Sequence, residues 1–128
     1  MNSDLRSHLS RARGLGSAKS GVHHFWVQRL TAVALIPLVV WFAVSLVTLS
    51  GADYSMVRAW IGSPFVMVLL ILTIVIGLHH AQLGIQVVIE DYVHGDGAKL
   101  AMIVAVKFIA VFFGLAATVA ILRIGFGG

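Results

Sequence analysis

The chain is 128 residues long, 59% hydrophobic and only 11% charged, with a net charge of +4 and no cysteine. That much apolar sequence excludes an ordinary water-soluble domain and describes a helical membrane protein. The missing thiol excludes disulfides, cysteine-ligated iron–sulfur clusters and cysteine zinc sites on this chain, and positive charge gathered near the N-terminus points to membrane topology before nucleic acid.

Residues 1–20 read as a basic polar tail, with Arg6, Arg11, Arg13 and Lys19 against Asp4. Gly14, Gly16 and Ser17 argue against a stable helix there. The acid-poor composition has features of a mitochondrial targeting segment, but the favoured reading is a cytoplasmic tail that obeys the positive-inside rule. The apolar run that follows is too long for a cleaved secretory signal. Ser20–Arg29, SGVHHFWVQR, leads into the first span, and Phe25 and Trp26 suit the interfacial aromatic belt. Three apolar runs, at about 26–49, 65–90 and 98–124, are each long enough to cross about 30 Å of hydrocarbon. Pro37 predicts a kink in the first of them. Ser50–Pro64 reads as a short connecting loop with turn residues at both ends, and Glu90–Gly97 as a compact polar turn. The runs are continuous and lack period-two alternation, which excludes a β-barrel.

The predicted fold is therefore an all-α membrane protein: a basic tail over 1–20, then a three-helix anchor domain over 21–128. The N-terminus lies in the cytoplasm and the Ser50–Pro64 loop in the periplasm. The Glu90–Gly97 turn returns to the cytoplasm, and the C-terminus ends outside. Tail and turn thus share one side, where Arg29 and Asp91 can approach. Three helices shelter few polar groups at membrane depth, so the chain is expected to pack against another membrane subunit.

The sharpest feature is Gly77–His94, GLHHAQLGIQVVIEDYVH. His79 and His80 lie well inside an apolar run, where a histidine is a functional candidate. Asp91 lies eleven residues past His80. Eleven helical steps fall within about 20° of three turns, so the two share one face, about 16 Å apart along the axis. Gly84 lies on the same stripe and Gly77 close to it, which would let a flat cofactor approach His80. Neutral imidazole is a good axial ligand to haem iron. His79 points about 100° away and is read as hydrogen-bonded to a neighbouring helix carbonyl. Glu90 and Asp91 oppose the dipole at a helix C-terminus, which hints at another use for one of them. The Tyr92 hydroxyl suits a quinone carbonyl. Arg29, with His23 and His24, approaches from the same side, as snorkelling groups or as cations for a haem propionate or for Asp91. Lys107, read as about six residues into its helix, is assigned no function, and His94 is read as solvated. There is no P-loop, GxSxG, HExxH or GxGxxG.

Two stretches, SGVHHFWVQRLTAVAL (Ser20–Leu35) and HAQLGIQVVIEDYVH (His80–His94), resemble the small cytochrome b membrane anchor, the D-type subunit, of bacterial succinate dehydrogenase. That family has a haem-ligating histidine followed after eleven residues by Asp-Tyr, and the resemblance covers the whole layout of tail and three spans. It implies half of a heterodimeric haem-binding bundle, with a second, C-type anchor subunit giving the other axial ligand to haem b. It further implies an iron–sulfur subunit and a flavoprotein subunit on the cytoplasmic face of the inner membrane, and ubiquinone as the substrate reduced. Position by position, His80 corresponds to the haem iron ligand, Tyr92 to a quinone hydrogen-bond donor, Asp91 to its support, and Arg29 and His23 to groups near the haem propionates. The doubled His79–His80 departs from the simplest pattern, and the spacing to Asp91 selects His80. Three competing readings remain: the anchor of a quinol:fumarate reductase, a small proton-coupled transporter or channel subunit, and a structural assembly factor.

Overall fold

The structure is a computed structural model that describes residues 8–12 and 19–127. The expected helix-breaking run at Gly14, Gly16 and Ser17 lies outside the described residues, as do Asp4, Arg6 and Arg13 and the side chains of Arg11 and Lys19. Among the described residues five helices follow in order: α1 (His8–Ala12), α2 (Lys19–Thr48), α3 (Tyr54–Ile61), α4 (Pro64–Tyr92) and α5 (Asp96–Gly125). The expected all-α membrane fold is therefore present. Among the described residues α2, α4 and α5 are long and apolar enough to cross a membrane, and the three exceed the predicted spans at one or both ends.

The helix boundaries have local causes. The first span was expected from about residue 26, but α2 already begins at Lys19, so SGVHHFWVQR is its first turns. Its 30 residues make about 45 Å of helix, longer than the hydrocarbon alone requires. The helix runs on through Pro37 and gives way to a turn in which Gly51 takes φ +83°, a conformation that favours glycine. The polar turn expected at Glu90–Gly97 is shorter than predicted. Glu90–Tyr92 complete α4, Val93 N–H donates to the Ile89 carbonyl at 2.9 Å, and Asp96 already opens α5. An acidic residue there complements the positive end of the helix dipole.

The Ser50–Pro64 loop carries a helix that the sequence reading did not foresee. Asp53 is its N-cap: Oδ1 accepts from Met56 N–H at 2.9 Å and from the Ser55 hydroxyl at 2.8 Å. The Met56 N–H first, and then the Ser55 hydroxyl, hold the Asp53 carboxyl below its ordinary 3.8. Pro64 then sits at the first position of α4, where a missing N–H costs nothing.

α4 is the middle helix. It packs antiparallel against both α2 and α5, and among the described residues those two do not pack on each other. The densest packing lies toward the α4 N-terminus, where Val66, Met67, Leu70 and Ile121 are buried beneath Trp41, Phe42, Trp60 and Ile61. Trp60 of α3 stacks on Trp41 of α2, with centroids 5.9 Å apart and planes 21° from parallel. A Cβ on Gly125 would overlap the Met67 sulfur, so glycine there lets α5 close on α4. Outward faces are apolar, as at Val47, Phe108 and Phe112, which suits lipid or another apolar helix.

Candidate functional site

At the other half of the bundle the geometry is set by the α2–α4 seam. Leu35 meets Gly77, Thr31 meets His80 and Gln28 meets Gly84, in antiparallel register. The glycine stripe beside His80 therefore admits helix α2, whose side chains pass within 3.8 Å and 3.9 Å of where Cβ atoms would lie on Gly77 and Gly84. That corrects the expectation that the stripe is free for a flat cofactor. The reason is physical: small residues bring helices together in a membrane as readily as they admit a ligand.

His80 is half-buried in this seam. Its Nδ1 lies 2.9 Å from the Thr31 hydroxyl. Among the described residues its Nε2 has no partner, and that atom is not one of the enclosed unpaired ones, which are His24 Nε2 and Gln28 Oε1. So it is His80, rather than His79, that bonds to a neighbouring helix, and the partner is a hydroxyl instead of a carbonyl.

His79 faces elsewhere. Because α2 and α5 stand apart on α4, they leave a groove between them of about 710 Å³. Its polar lining is His23 and His24 from α2, His79, Gln82 and Gln86 from α4, and Lys107 and Thr118 from α5. Apolar walls come from Val27, Leu78, Val111 and Leu115, among others. Lys107 lies eleven residues past Asp96, the first residue of α5, deeper than the about six residues expected from the sequence.

The groove floor continues outward as a ladder along α4. Gln82 Nε2 donates to Gln86 Oε1 at 3.1 Å, and Gln86 Nε2 donates to Glu90 Oε1 at 2.8 Å. It runs from the depth of His79 to the helix end, where Asp91 is exposed and Tyr92 is 78% exposed. The sequence reading missed the ladder, although Gln82, Gln86 and Glu90 recur at the four-residue helical interval. It also missed Thr31, whose place opposite His80 no local pattern announces.

The remaining predicted residues are distributed as follows. α4 is unbroken from His80 to Tyr92, so the eleven-residue interval does place Asp91 on the His80 face. His23 lines the groove. Arg29 is exposed and sets its guanidinium 5.0 Å from the Phe25 ring centroid, a cation–π contact. The structure thus separates Arg29 from His23 and does not bring it onto Asp91. His94 is exposed, as expected, with Nδ1 3.0 Å from the Tyr92 carbonyl.

Residues 3–114 match the family described as succinate dehydrogenase/fumarate reductase transmembrane subunit. The chain belongs to that family. It is 33% identical over 121 residues to the succinate dehydrogenase hydrophobic membrane anchor subunit of Rickettsia bellii, spanning 94% of this chain and 97% of the relative. The corresponding subunits of Rickettsia conorii and Paracoccus denitrificans are 36% and 34% identical, over 84% and 76% of this chain and 86% and 75% of theirs. The resemblance read from the two motif stretches is therefore sound, and the three-helix fold is that of a multi-pass membrane anchor subunit of succinate dehydrogenase.

Proposed function

We propose that this anchor supplies His80 as one axial ligand to a haem b shared with a second, C-type anchor subunit, and that Tyr92 with Asp91 forms part of the site at which ubiquinone is reduced. The observation that carries the reading is the state of the His80 ring: one nitrogen held by a neighbouring helix, the other open, at membrane depth in α4. Ligating histidines in general have their second ring nitrogen engaged in this way. The donor set fits such a group. A haem would ask one imidazole of this chain, and the open Nε2 of His80 would supply it.

Haem b, when bound, supplies a one-electron carrier within the membrane. The chain's own residues do the rest. α4 holds His80 in place by packing its glycine stripe on α2. The exposed Tyr92 hydroxyl donates a hydrogen bond to a ubiquinone carbonyl, and the neighbouring Asp91 carboxylate orients that site and accepts or passes a proton there. His23, on the groove, and Arg29, outside it, are the groups that this reading sets near the anionic substituents of the haem. Soluble iron–sulfur and flavoprotein subunits dock over this end and deliver electrons taken from succinate. The basic tail keeps that end on the cytoplasmic side of the bacterial inner membrane, with the C-terminus in the periplasm.

The test is the reduced-minus-oxidised spectrum of the assembled complex. His80→Ala is expected to abolish or shift the haem bands while the soluble subunits still attach. His79 faces the wider groove, which favours it as the alternative ligand. His79→Ala should leave the bands in place, and loss of haem in that variant alone would transfer the assignment to His79. Tyr92→Phe should slow quinone reduction without altering the spectrum.

A further inference from the structure

The Thr31–His80 contact carries more than a link between two helices. Thr31 Oγ1 has three neighbours: the Val27 carbonyl at 2.8 Å, the Gln28 carbonyl at 3.0 Å and His80 Nδ1 at 2.9 Å. A hydroxyl has a single hydrogen to give and two lone pairs to accept with. The two carbonyls can only accept. If the hydroxyl hydrogen turned to Nδ1, its oxygen would stand 2.8 Å from a carbonyl oxygen with no hydrogen between them. The arrangement that leaves no oxygen facing another without a hydrogen shares the hydroxyl hydrogen between the Val27 and Gln28 carbonyls of α2, a bifurcated form of the back-bond common for helical threonine. Thr31 then accepts, and His80 Nδ1 must be the donor.

We infer that Thr31 is a positioning residue that fixes the tautomer of His80, holding the proton on Nδ1 so that Nε2 presents its lone pair. The inference rests on the reading of His80 as an iron ligand and deepens it. The seam converts the intrahelical bond of one threonine into a choice between two ring nitrogens 49 residues away in sequence. The contact also has an electronic consequence. An acceptor on Nδ1–H makes the imidazole more basic, which favours the oxidised iron it binds. Thr31 therefore sets both which nitrogen binds and how strongly it donates.

The experiment uses the assembled complex carrying Thr31→Val, which keeps the shape and removes the hydroxyl, and Thr31→Ser, which keeps the hydroxyl. In Thr31→Val the haem is expected to wash out about 10-fold more readily, and its midpoint potential in a redox titration should rise. Thr31→Ser should return both to the wild-type values. A threonine that merely clamps two helices would lower the yield of complex and leave the potential of the retained haem unchanged, and that result would overturn the inference. Should Thr31→Val fail to assemble, a measurement on the wild type decides. In the full-length chain in lipid bilayers, labelled with ¹⁵N-histidine and assigned against His80→Gln, the His80 signals should be those of the Nδ1-protonated form. The Nε2-protonated form would refute the inference directly. Failure of the underlying reading looks different: His80→Ala would then keep a bis-imidazole spectrum. A lost spectrum in His80→Ala beside a silent Thr31→Val sinks only the role of Thr31.

Discussion

The two halves of this small bundle are finished to different degrees. Toward the α4 N-terminus the chain closes on itself: Trp41 stacks on Trp60, and Val66, Met67, Leu70 and Ile121 are buried beneath them. Toward the α4 C-terminus α2 and α5 part, and a groove opens on His23, His24, His79 and Lys107. There His24 Nε2 and Gln28 Oε1 are enclosed without partners, and each such atom costs about 1–3 kcal/mol. One end is a core that this sequence can complete alone. The other concentrates the polar groups that a subunit interface or a cofactor would satisfy, and it is the end that holds His80, Asp91 and Tyr92. The packed core and the proposed site thus lie at opposite ends of the bundle.

The largest expected effect tests the packed end. Leu70, 7% exposed, is enclosed by the aromatic cluster, and Leu70→Ala should destabilise the purified complex by about 2–5 kcal/mol through the cavity it leaves. Thermal unfolding in detergent measures this, and the haem spectrum of the folded fraction should not change. Val111, on the groove wall and 59% exposed, should lose far less when cut to Ala. Equal losses at the two positions would erase the distinction between the ends.

A second prediction sharpens the open end. Lys107 lies deep in α5 and faces the groove. Replacing it by Leu should favour membrane insertion of α5 by about 2–3 kcal/mol, read from a reporter fused after the helix. The assembled complex should gain much less, because a partner or an anionic group that fills the groove already compensates the charge. The same gain in both settings would show that the groove stays unfilled.

How much of this was legible in the sequence differs between the two ends as well. Three spans followed from apolar length alone, since lipid leaves the backbone few other solutions, and the interval from His80 to Asp91 fixed a shared face before any packing was known. The missed features share a cause: each depends on which helix lies opposite. Gly77 and Gly84 were read as room for a cofactor, and they make room for α2. Thr31 is an unremarkable hydroxyl until α4 places His80 across from it. Helix α3 was hidden for a different reason. Eight residues between two turns are too few for a periodic pattern, and only Asp53 as an N-cap and Gly62 at the end signalled it.

The smallest expected effect concerns α3, which lies at the packed end outside the spans. Its Asp53 cap is stronger while the carboxylate is charged than when it is protonated. Hydrogen bonds from Met56 N–H and Ser55 hold its pKa below 3.8 in the folded chain, so the extra strength is present above the ordinary Asp value and is lost as pH falls through the lowered one. Since Asp53 stands fully in solvent, the contribution is slight. It reaches the core only through Trp60, the α3 residue stacked on Trp41. Tryptophan emission in a Trp26→Phe background should shift modestly below about pH 4. Asp53→Asn should keep the cap at every pH, because an amide oxygen accepts the same N–H bond. Asp53→Ala should show the shifted emission already at neutral pH. If all three proteins trace the same curve, α3 holds its place by the Trp41–Trp60 stack alone, and the packed end is closed by aromatic contact rather than by helix capping.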